Sequence, residues 1–437
     1  MKRTMTLFVL LLAARGAAAQ EPIVRLTLDD AIGRGLANSH RLAELQARKE
    51  GAEAAEAGRA AATMPSIALA GGYTRTNHVD EFGIAQPGQP LRLIYPDIPD
   101  NYRARLDLNW PVYSGGRTDA LERAAAAERQ AAGEDVAAAR SDLRLEVTRA
   151  FWALVSAIET ERVLARSLDS IGAHVSDLRS RFDQGLIPPN DVLSAEAQQS
   201  RQRVLAIEAR NTRGICEADL RRLIGLDTRD RIEPVATLEN ESVPPSSPDA
   251  LLAEARAQRP ERRAFADRAD ASRAREAAVA ATARPQIGVN AGYDYARPNP
   301  RIFPRQGSWQ DSWDASLNVS WPLFDGGKTK SDAAEATSGV RALRARLAEL
   351  DSVIALDVRQ RLSELEASRA SVDAAEIGVR AATEARRVVG ERFAAGVAAS
   401  IDVVDAELAI LQSQLDRVQA VASGRLAEAR LYRALGR

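Results

Sequence analysis

The strongest constraint on the fold is an internal duplication of the sequence. Residues 110–116 read Trp-Pro-Val-Tyr-Ser-Gly-Gly, and residues 321–327 read Trp-Pro-Leu-Phe-Asp-Gly-Gly, at an offset of 211 residues. The same offset relates the Arg-Phe-x-x-Gly segment at 181–185 to the one at 392–396. No gap separates these anchors, so the helices between them must have equal lengths in both copies. Two copies are too few for a solenoid, and the sequence therefore predicts a duplicated domain.

The duplication defines the expected domain organisation. We predict a signal peptide over 1–19, a first repeat over 20–226, a linker over 227–248 and a second repeat over 249–437. The linker contains four prolines, as a connection between folded segments often does.

The N-terminal residues have the pattern of a secretory signal peptide. A Lys-Arg pair at 2–3 precedes an apolar run over 7–14, and three alanines at 17–19 offer a cleavage site. The apolar run is too short to span a bilayer. The alternative is a buried N-terminal helix, which Arg15 disfavours. The sequence predicts an exported chain, and no cysteine follows the cleavage site to carry a lipid.

Long helices are expected in both copies. The predicted helices span 28–63, 117–183 and 190–224 in the first copy, and 249–283, 328–394 and 400–435 in the second. Apolar side chains in the first long helix recur at alternating spacings of four and three residues, the a/d pattern of helices that pack nearly parallel. They are Leu164, Leu168, Ile171, Val175, Leu178 and Phe182. A helix of ~67 residues would reach roughly 100 Å, which exceeds an ordinary globular core.

Four segments alternate between apolar and polar residues. We predict strands over about 66–76, 103–113, 285–296 and 312–324. The clearest has Trp313 and Trp321 near its ends and Leu317 and Val319 between them on one face. A length of about 10 residues with aromatic ends suits a tilted transmembrane strand. The alternative is a half-buried sheet in a soluble protein, which four matched strands in an exported chain disfavour.

The strand number requires several chains to associate. The smallest membrane barrels have about eight strands, so four cannot close one. An open edge cannot face lipid, because its N–H and C=O groups would find no hydrogen-bond partner. Two chains would supply about eight strands and three chains about twelve. The strand count alone does not choose between these assemblies.

Charge and composition exclude several functional classes. The chain has 59 basic and 60 acidic residues, which gives no electrostatic basis for binding nucleic acid. One cysteine and three histidines are too few for a disulfide framework or a Cys/His metal site, and we expect no cofactor. The segment 327–329 resembles the end of a phosphate-binding loop, but Pro322 occupies a position that requires glycine. No nucleophile motif is present, so we do not expect an enzyme.

The two motif pairs and the duplicated helix–strand–strand–helix layout resemble the TolC-like outer-membrane efflux proteins, the outer membrane factor family. The resemblance extends over nearly the whole mature chain. It implies a mainly α-helical protein with transmembrane β-strands, in which a homotrimer forms a twelve-stranded outer-membrane barrel continuous with a coiled-coil periplasmic tunnel. The implied partners are a periplasmic adaptor (membrane fusion) protein, an inner-membrane pump of the RND or ABC type, and outer-membrane lipid.

The resemblance also indicates functional residues. It implies that Asp402 and Asp405, on one helix face, line the constriction of the closed channel, where three chains would form a carboxylate ring that attracts cations. The alternative is a solvated helix face near an N-terminus, where Asp is favoured in any case. The helix–helix breaks are the expected tips that meet the adaptor. The tip residues are Arg181, Gly185, Leu186, Arg392, Phe393 and Gly396.

A third set of residues forms the strand-to-helix turns. These residues are Trp110, Pro111, Gly115, Gly116, Trp321, Pro322, Gly326 and Gly327. The sequence also departs from the best-known members of the family, which carry Tyr where Phe393 stands and Arg where Ala398 stands. The contacts that hold the tunnel shut must therefore differ, or the closed state is less secure.

Together these features predict a passive outer-membrane exit duct of a tripartite export system, for efflux or type I secretion. The alternative is a soluble periplasmic coiled-coil scaffold or adaptor, against which the alternating strands and the duplication argue. The sequence of a duct does not record its cargo, because the pump selects it. By analogy, the missing lipidation cysteine favours the secretion and multipurpose ducts.

Overall fold

The computed structural model describes residues 23–227, 229–236 and 247–437. The predicted signal peptide and part of the predicted linker lie outside these residues. The chain divides into two compact units, each built from three segments. One unit comprises Met1–Ser39, Asp142–Pro245 and Arg361–Arg433, and the other His40–Ser141, Ser246–Gln360 and Ala434–Arg437.

Eight α-helices account for most of the described residues. They are α1 (Leu28–Asn38), α2 (His40–Ala61), α3 (Arg117–Asp183), α4 (Pro189–Ile224), α5 (Pro248–Gln258), α6 (Pro260–Ala280), α7 (Lys328–Ala394) and α8 (Ser400–Leu435). Helices α3 and α7 each have 67 residues, and α4 and α8 each have 36. The equal helix lengths predicted from the ungapped duplication are confirmed. Among the described residues, no helix combines the length and the apolar character needed to cross a membrane.

The prediction of a single first helix in each copy is wrong, because each of these segments folds as two helices. The break falls at Ser39 in the first copy and at Arg259 in the second, where ψ is 112° and 117°. Arg259 precedes Pro260, and a residue before proline avoids the helical region. The Arg259 side chain is buried, and its Nε donates to the Ala434 carbonyl at 2.5 Å.

Each break lies against the glycine that follows the last helix of its copy. Gly225 and Gly436 both have positive φ, 68° and 86°. A Cβ on Gly225 would lie 2.9 Å from the Asn38 side chain, and a Cβ on Gly436 would lie 2.8 Å from the Gln258 carbonyl carbon. Only glycine accommodates both the left-handed backbone and the close approach, so the breaks are built alike in the two copies.

The strands form one large sheet and two short pairs. They are β1 (Ile23–Leu26), β2 (Ser66–Arg75), β3 (Phe82–Ile84), β4 (Arg92–Tyr95), β5 (Asp100–Tyr113), β6 (Arg231–Pro234), β7 (Gln286–Arg297) and β8 (Gln310–Ser320). The four long strands make an antiparallel sheet in the order β2, β5, β7, β8. The two copies of the sequence therefore meet between β5 and β7.

The fourth long strand is shorter than predicted. β8 ends at Ser320, which pairs with Gln286 at the start of β7. Pro285 precedes that residue and has no N–H to donate, so β7 offers Trp321 no partner. In the first copy β5 continues to Tyr113, beyond Ser66 at the start of β2, because β7 still pairs with it there. Pro111 lies in this stretch, beside an irregularity of register of the kind that tolerates proline.

One face of the large sheet is apolar and exposed. A single row across the four strands consists of Leu69, Leu106, Tyr293 and Trp313. Their exposed fractions are 77, 45, 47 and 73 %. Successive residues of a strand point to opposite faces, so the next row, which contains Arg105 paired with Asp294, belongs to the other face. The sheet therefore has one apolar and one polar side.

A strand in the linker was not predicted. β6 pairs in parallel with β1, so that Arg231 lies opposite Ile23, which is 208 positions earlier in the chain. Leu26 and Ile232 in this pair are each 1 % exposed, and the Ile232 N–H donates to the buried carboxylate of Glu217 at 2.8 Å. Four residues are too few to give a periodic sequence signal.

Candidate functional site

The break between α3 and α4 is closed by a Schellman motif. The Leu186 N–H donates to the Arg181 carbonyl at 3.0 Å, and the Gly185 N–H donates to the Phe182 carbonyl at 2.8 Å. Gly185 has φ of 72°. This motif places a residue in the left-handed region just after a helix, where glycine avoids the cost of a Cβ.

The break between α7 and α8 repeats the motif. The Val397 N–H donates to the Arg392 carbonyl at 2.9 Å, and the Gly396 N–H donates to the Phe393 carbonyl at 3.0 Å. Gly396 has φ of 76°. The backbone of the two predicted tips is therefore the same, residue for residue.

The aromatic side chains of the two tips have different surroundings. Phe182 is 43 % exposed. Phe393 is half-buried and packs against a buried cluster that includes Val175 and Leu178 of α3. The Arg181 guanidinium lies 4.7 Å from the centroid of the Phe393 ring, a cation–π distance. The structure thus brings Arg181 of the first copy onto Phe393 of the second.

His174 gives the second tip another contact with α3. Its ring meets the Phe393 ring edge to face at 5.3 Å, and its Nε2 lies 3.2 Å from the Ser400 hydroxyl at the start of α8. Burial lowers the pKa of His174 below its usual value, although the carboxylates of Asp177 and Glu407 act in the opposite direction. The surroundings therefore favour the neutral imidazole.

A buried carboxylate lies two turns along α8. Glu407 is 5 % exposed and accepts hydrogen bonds from the Ser170 hydroxyl and from Nε of Arg386, both at 2.8 Å. The equivalent residue of the first copy, Glu196, is partly exposed and accepts from the Arg179 guanidinium at 2.6 and 2.8 Å. A buried carboxylate requires such partners, because a charge without them is expensive to desolvate.

Both carboxylates predicted for the constriction are exposed. Asp402 and Asp405 lie one turn apart in the first turns of α8. The Asp402 carboxylate also accepts the Ala399 backbone N–H at 2.9 Å. It therefore stabilises the helix N-terminus, where a negative charge is favourable, and it is partly committed to that contact.

The remaining tip residues lie at the surface. Leu186 is 68 % exposed, and Gly185, Arg392 and Gly396 are exposed as well. They present backbone and side chains at the ends of the two helical hairpins, where a partner could reach them.

The strand-to-helix turns contain paired glycines with positive φ. The φ angles are 67° at Gly115, 86° at Gly116, 68° at Gly326 and 89° at Gly327. A Cβ on Gly115 would also lie 2.8 Å from Cβ of Arg284. Pro322 follows the end of β8, and Trp321 donates its indole N–H to the Ala283 carbonyl at 3.1 Å.

Equivalent side chains cap the long helices after these turns. The Thr118 N–H donates to the Ser114 hydroxyl at 3.1 Å, and the Thr329 N–H donates to the Asp325 carboxylate at 2.8 Å. Hydrogen bonds from the Thr329 side chain and backbone hold the pKa of Asp325 below its usual value. The turn motif is therefore explained by left-handed glycines and N-capping, with no bound phosphate required.

Sequence reasoning missed His174, Ser400, Arg386 and the burial of Glu407. The available signal was the position of Glu407 between Val404 and Leu411, which are both buried. That position places the carboxylate on the buried side of α8 rather than in solvent.

The sequence profile of the outer membrane efflux proteins matches residues 31–226 and 251–437. The chain belongs to the outer membrane efflux protein family. It is 28 % identical to protein CyaE of Bordetella pertussis over 361 residues, covering 80 % of this chain and 71 % of CyaE. It is 24 % identical to outer membrane protein TolC of Vibrio cholerae over 378 residues, covering 84 % of this chain and 81 % of TolC.

Solved structures of outer-membrane channels have the same fold. VceC of Vibrio cholerae matches with a TM-score of 0.77 and 20 % identity, over 94 % of this chain and 96 % of VceC. The channel OprN matches with a TM-score of 0.78 and 19 % identity, over 94 % of this chain and 89 % of OprN. The predicted resemblance to TolC-like outer membrane factors is confirmed.

Family membership decides between the functions that the sequence left open. The chain is an outer-membrane channel of a tripartite export system, of the efflux or secretion type, with a periplasmic helical tunnel. The soluble scaffold or adaptor is set aside. The family is one of channels and not of enzymes.

Proposed function

We propose that three copies of the chain assemble into a passive exit duct that spans the outer membrane. The observation that carries this proposal is the four-stranded sheet. Its exposed face is apolar, and β2 and β8 lie at its two ends. In lipid those edges need strand partners. Three copies joined β8 to β2 would supply twelve paired strands, and the apolar face would contact outer-membrane lipid.

The proposed working ends are the two periplasmic tips. Leu186 and its counterpart Val397 are 68 and 63 % exposed, and each follows a glycine that fixes the hairpin backbone. They would dock a periplasmic adaptor, which couples the duct to an inner-membrane pump of the RND or ABC type.

The proposed constriction is the start of α8. Exposure of Asp402 and Asp405 on one helix face supports a ring of six carboxylates in a trimer, which would favour cations over anions. Replacing both residues by Asn should reduce the cation preference measured by the reversal potential in planar bilayers. The matched control is Asp191→Asn, in the equivalent turn of the first copy. An unchanged reversal potential would contradict the ring.

The assembly is tested by photo-crosslinking in the native cell. A photoreactive residue at Val319 on the edge strand β8 should produce a three-chain product, and one at Leu186 or Ala395 should capture a periplasmic adaptor. The control site is Ile377, an exposed residue of α7 that belongs to neither the sheet nor the tips. Recovery of the chain only in the soluble periplasm would refute the duct.

A further inference from the structure

The outer half of β7 has an unexpected burial pattern. Tyr293 and Tyr295, on the apolar face, are 47 and 46 % exposed. Their neighbours Gly292, Asp294 and Ala296, on the polar face, are all buried. Asp294 and Ala296 are only 3 and 1 % exposed. Something therefore covers the polar face of the sheet near the end where β7 leads into β8.

The covering segment is the first part of the β7–β8 loop, residues 298–305, whereas Trp309 at the end of the loop stacks on Tyr295 of the apolar face at 5.0 Å. Asn299 in this loop is 1 % exposed, and its amide donates to the Gln310 carbonyl at 3.1 Å and to the Ser312 hydroxyl at 3.0 Å. Arg301 forms an ion pair with Asp314 at 2.8 Å and donates to the Trp313 carbonyl, also at 2.8 Å. Asp314 and Ser312 share a face with Asp294, so these contacts hold the loop against the polar side of β8.

Charged side chains on the polar face of the sheet are positioned to bind this loop. The Arg105 side chain leaves β5 and crosses β7, where it contacts Asp294, and then reaches Asp314 at 3.3 Å on β8. It can cross because the residue beneath it is Gly292, where a Cβ would lie 2.2 Å from the Arg105 guanidinium. Asp314 is thus shared by Arg105 of the sheet and Arg301 of the loop.

The same loop extends towards the first copy. Its residues Pro298, Pro300 and Arg305 line one cavity of about 510 Å³ together with Gly71 and Gly72 of β2. Arg305 donates to the Tyr95 hydroxyl at 2.9 Å. The contacts described for residues 298–305 are hydrogen bonds and an ion pair. Such polar contacts can be exchanged for contacts with water at low cost when the loop moves away from the sheet.

We propose that residues 298–305 form a lid over the outer mouth of the duct, and that Arg301 is the positioning residue that holds the lid closed through Asp314. This inference rests on the proposed function, because it requires the polar face of the sheet to line the duct. The lid sets the size of molecule that passes the outer end, and outgoing cargo must displace it.

The test measures access to the polar face from outside intact cells. A cysteine replaces Asn290, which lies on that face beyond the lid, in a chain whose native cysteine is removed by Cys216→Ser. Cells are treated with maleimide-polyethylene glycols of increasing mass, all too large for general porins, and with a small maleimide as a measure of intrinsic reactivity. When the lid has its wild-type sequence, labelling of the cysteine at position 290 should slow steeply as the reagent becomes larger.

Arg301→Ala should raise the labelling rate of the large reagents by about tenfold, the effect expected from losing one charge-assisted hydrogen-bonded pair, and should leave the small reagent unchanged. Arg301→Lys keeps the charge and should give an intermediate rate. Arg92→Ala, on β4 in the connection between β2 and β5, is the matched control and should have no effect. If Arg301→Ala does not reach the membrane, Asn299→Ala removes the neighbouring tether and should act in the same direction.

Two results would overturn the proposal in distinguishable ways. An identical size dependence in Arg301→Ala, Asn299→Ala and the wild type would refute the lid and leave the duct intact. Asp80→Cys, at an exposed position in the connection between β2 and β5, should react with every reagent. Failure of the Asp80 site to react in intact cells would refute the proposed orientation in the membrane, and the lid with it.

Discussion

The two helix–helix breaks that we propose as the periplasmic tips share one backbone and differ in what their side chains contact. Both close with a Schellman motif around a glycine. In the first tip Phe182 is exposed and Glu196 pairs at the surface, whereas in the second tip Phe393 packs on α3 and Glu407 is buried. The shared motif therefore sets the shape of both hairpins, while contacts with α3 of the first copy hold the aromatic side chain of the second.

The largest expected effect comes from the two equivalent glutamates. Glu407→Ala leaves Arg386 and Ser170 without their buried partner, and the opening free energy of the first half of α8 should fall by about 2–3 kcal/mol. Glu196→Ala removes a partly exposed pair and should cost under about 1 kcal/mol in α4. Hydrogen–deuterium exchange of the amides after each tip measures both values. Equal losses in the two helices would contradict the asymmetry.

The second largest difference is expected between alanine substitutions of the two equivalent phenylalanines. Phe393→Ala removes a half-buried ring and its contacts with Arg181 and His174, at a cost of about 2 kcal/mol, below the value for a fully buried ring. Phe182→Ala should cost at most about 0.5 kcal/mol, as for an exposed site. The amides of residues 388–397 report the first change and those of 177–186 the second. A stronger effect in the first tip would reverse the comparison.

The two tip glycines should instead behave alike. Neither Gly185 nor Gly396 has any atom within 4 Å of the position of a Cβ, so only the left-handed backbone opposes a side chain. Gly185→Ala and Gly396→Ala should each cost about 1 kcal/mol in the local opening free energy. A markedly larger loss at one glycine would show that the shared motif is strained in that copy.

The smallest effect is a pH dependence confined to the second tip. The folded tip lowers the pKa of His174, so the unfolded state binds the proton more readily, and stability decreases as the pH falls below about 6.5. The loss between about pH 7.5 and about pH 5.5 should be under about 1 kcal/mol. His174→Gln should abolish this pH dependence, and His78→Gln, in the connection between β2 and β3, should not. Equal pH dependence in the two tips would contradict this assignment.

The duplication made much of the fold predictable. Motif spacing gave α3, α4, α7 and α8 with their lengths, since a helix of many turns shows its period clearly. The break at Ser39 was missed because the glycine that lies against it, Gly225, is distant in the chain. The break at Arg259 has a local signal in Pro260, which the prediction of one helix over 249–283 overlooked. Sequence periodicity reports a helix face and does not report which distant backbone presses against it.

The backbone conformation of the candidate site could be predicted from the sequence, but the contacts of its side chains could not. Gly185 and Gly396 identify the two helix–helix breaks from sequence alone, because only glycine suits that backbone. The contacts of Phe393 with Arg181 and His174 depend on how the two copies meet, which neither copy encodes by itself. The β7–β8 loop is a similar case, because Arg301 and Asp314 are ordinary surface residues until the hairpin brings them together.

The pairing of β1 with β6 has a consequence for the order of folding. Ile23 has its strand partner at Arg231, so the first strand cannot pair until the whole first repeat has been delivered. Contacts between residues so distant in sequence form slowly, because the loop must close before the contact stabilises it. Among the strands that the structure describes, β1 therefore waits longest for its partner during export, with its edge unpaired until then.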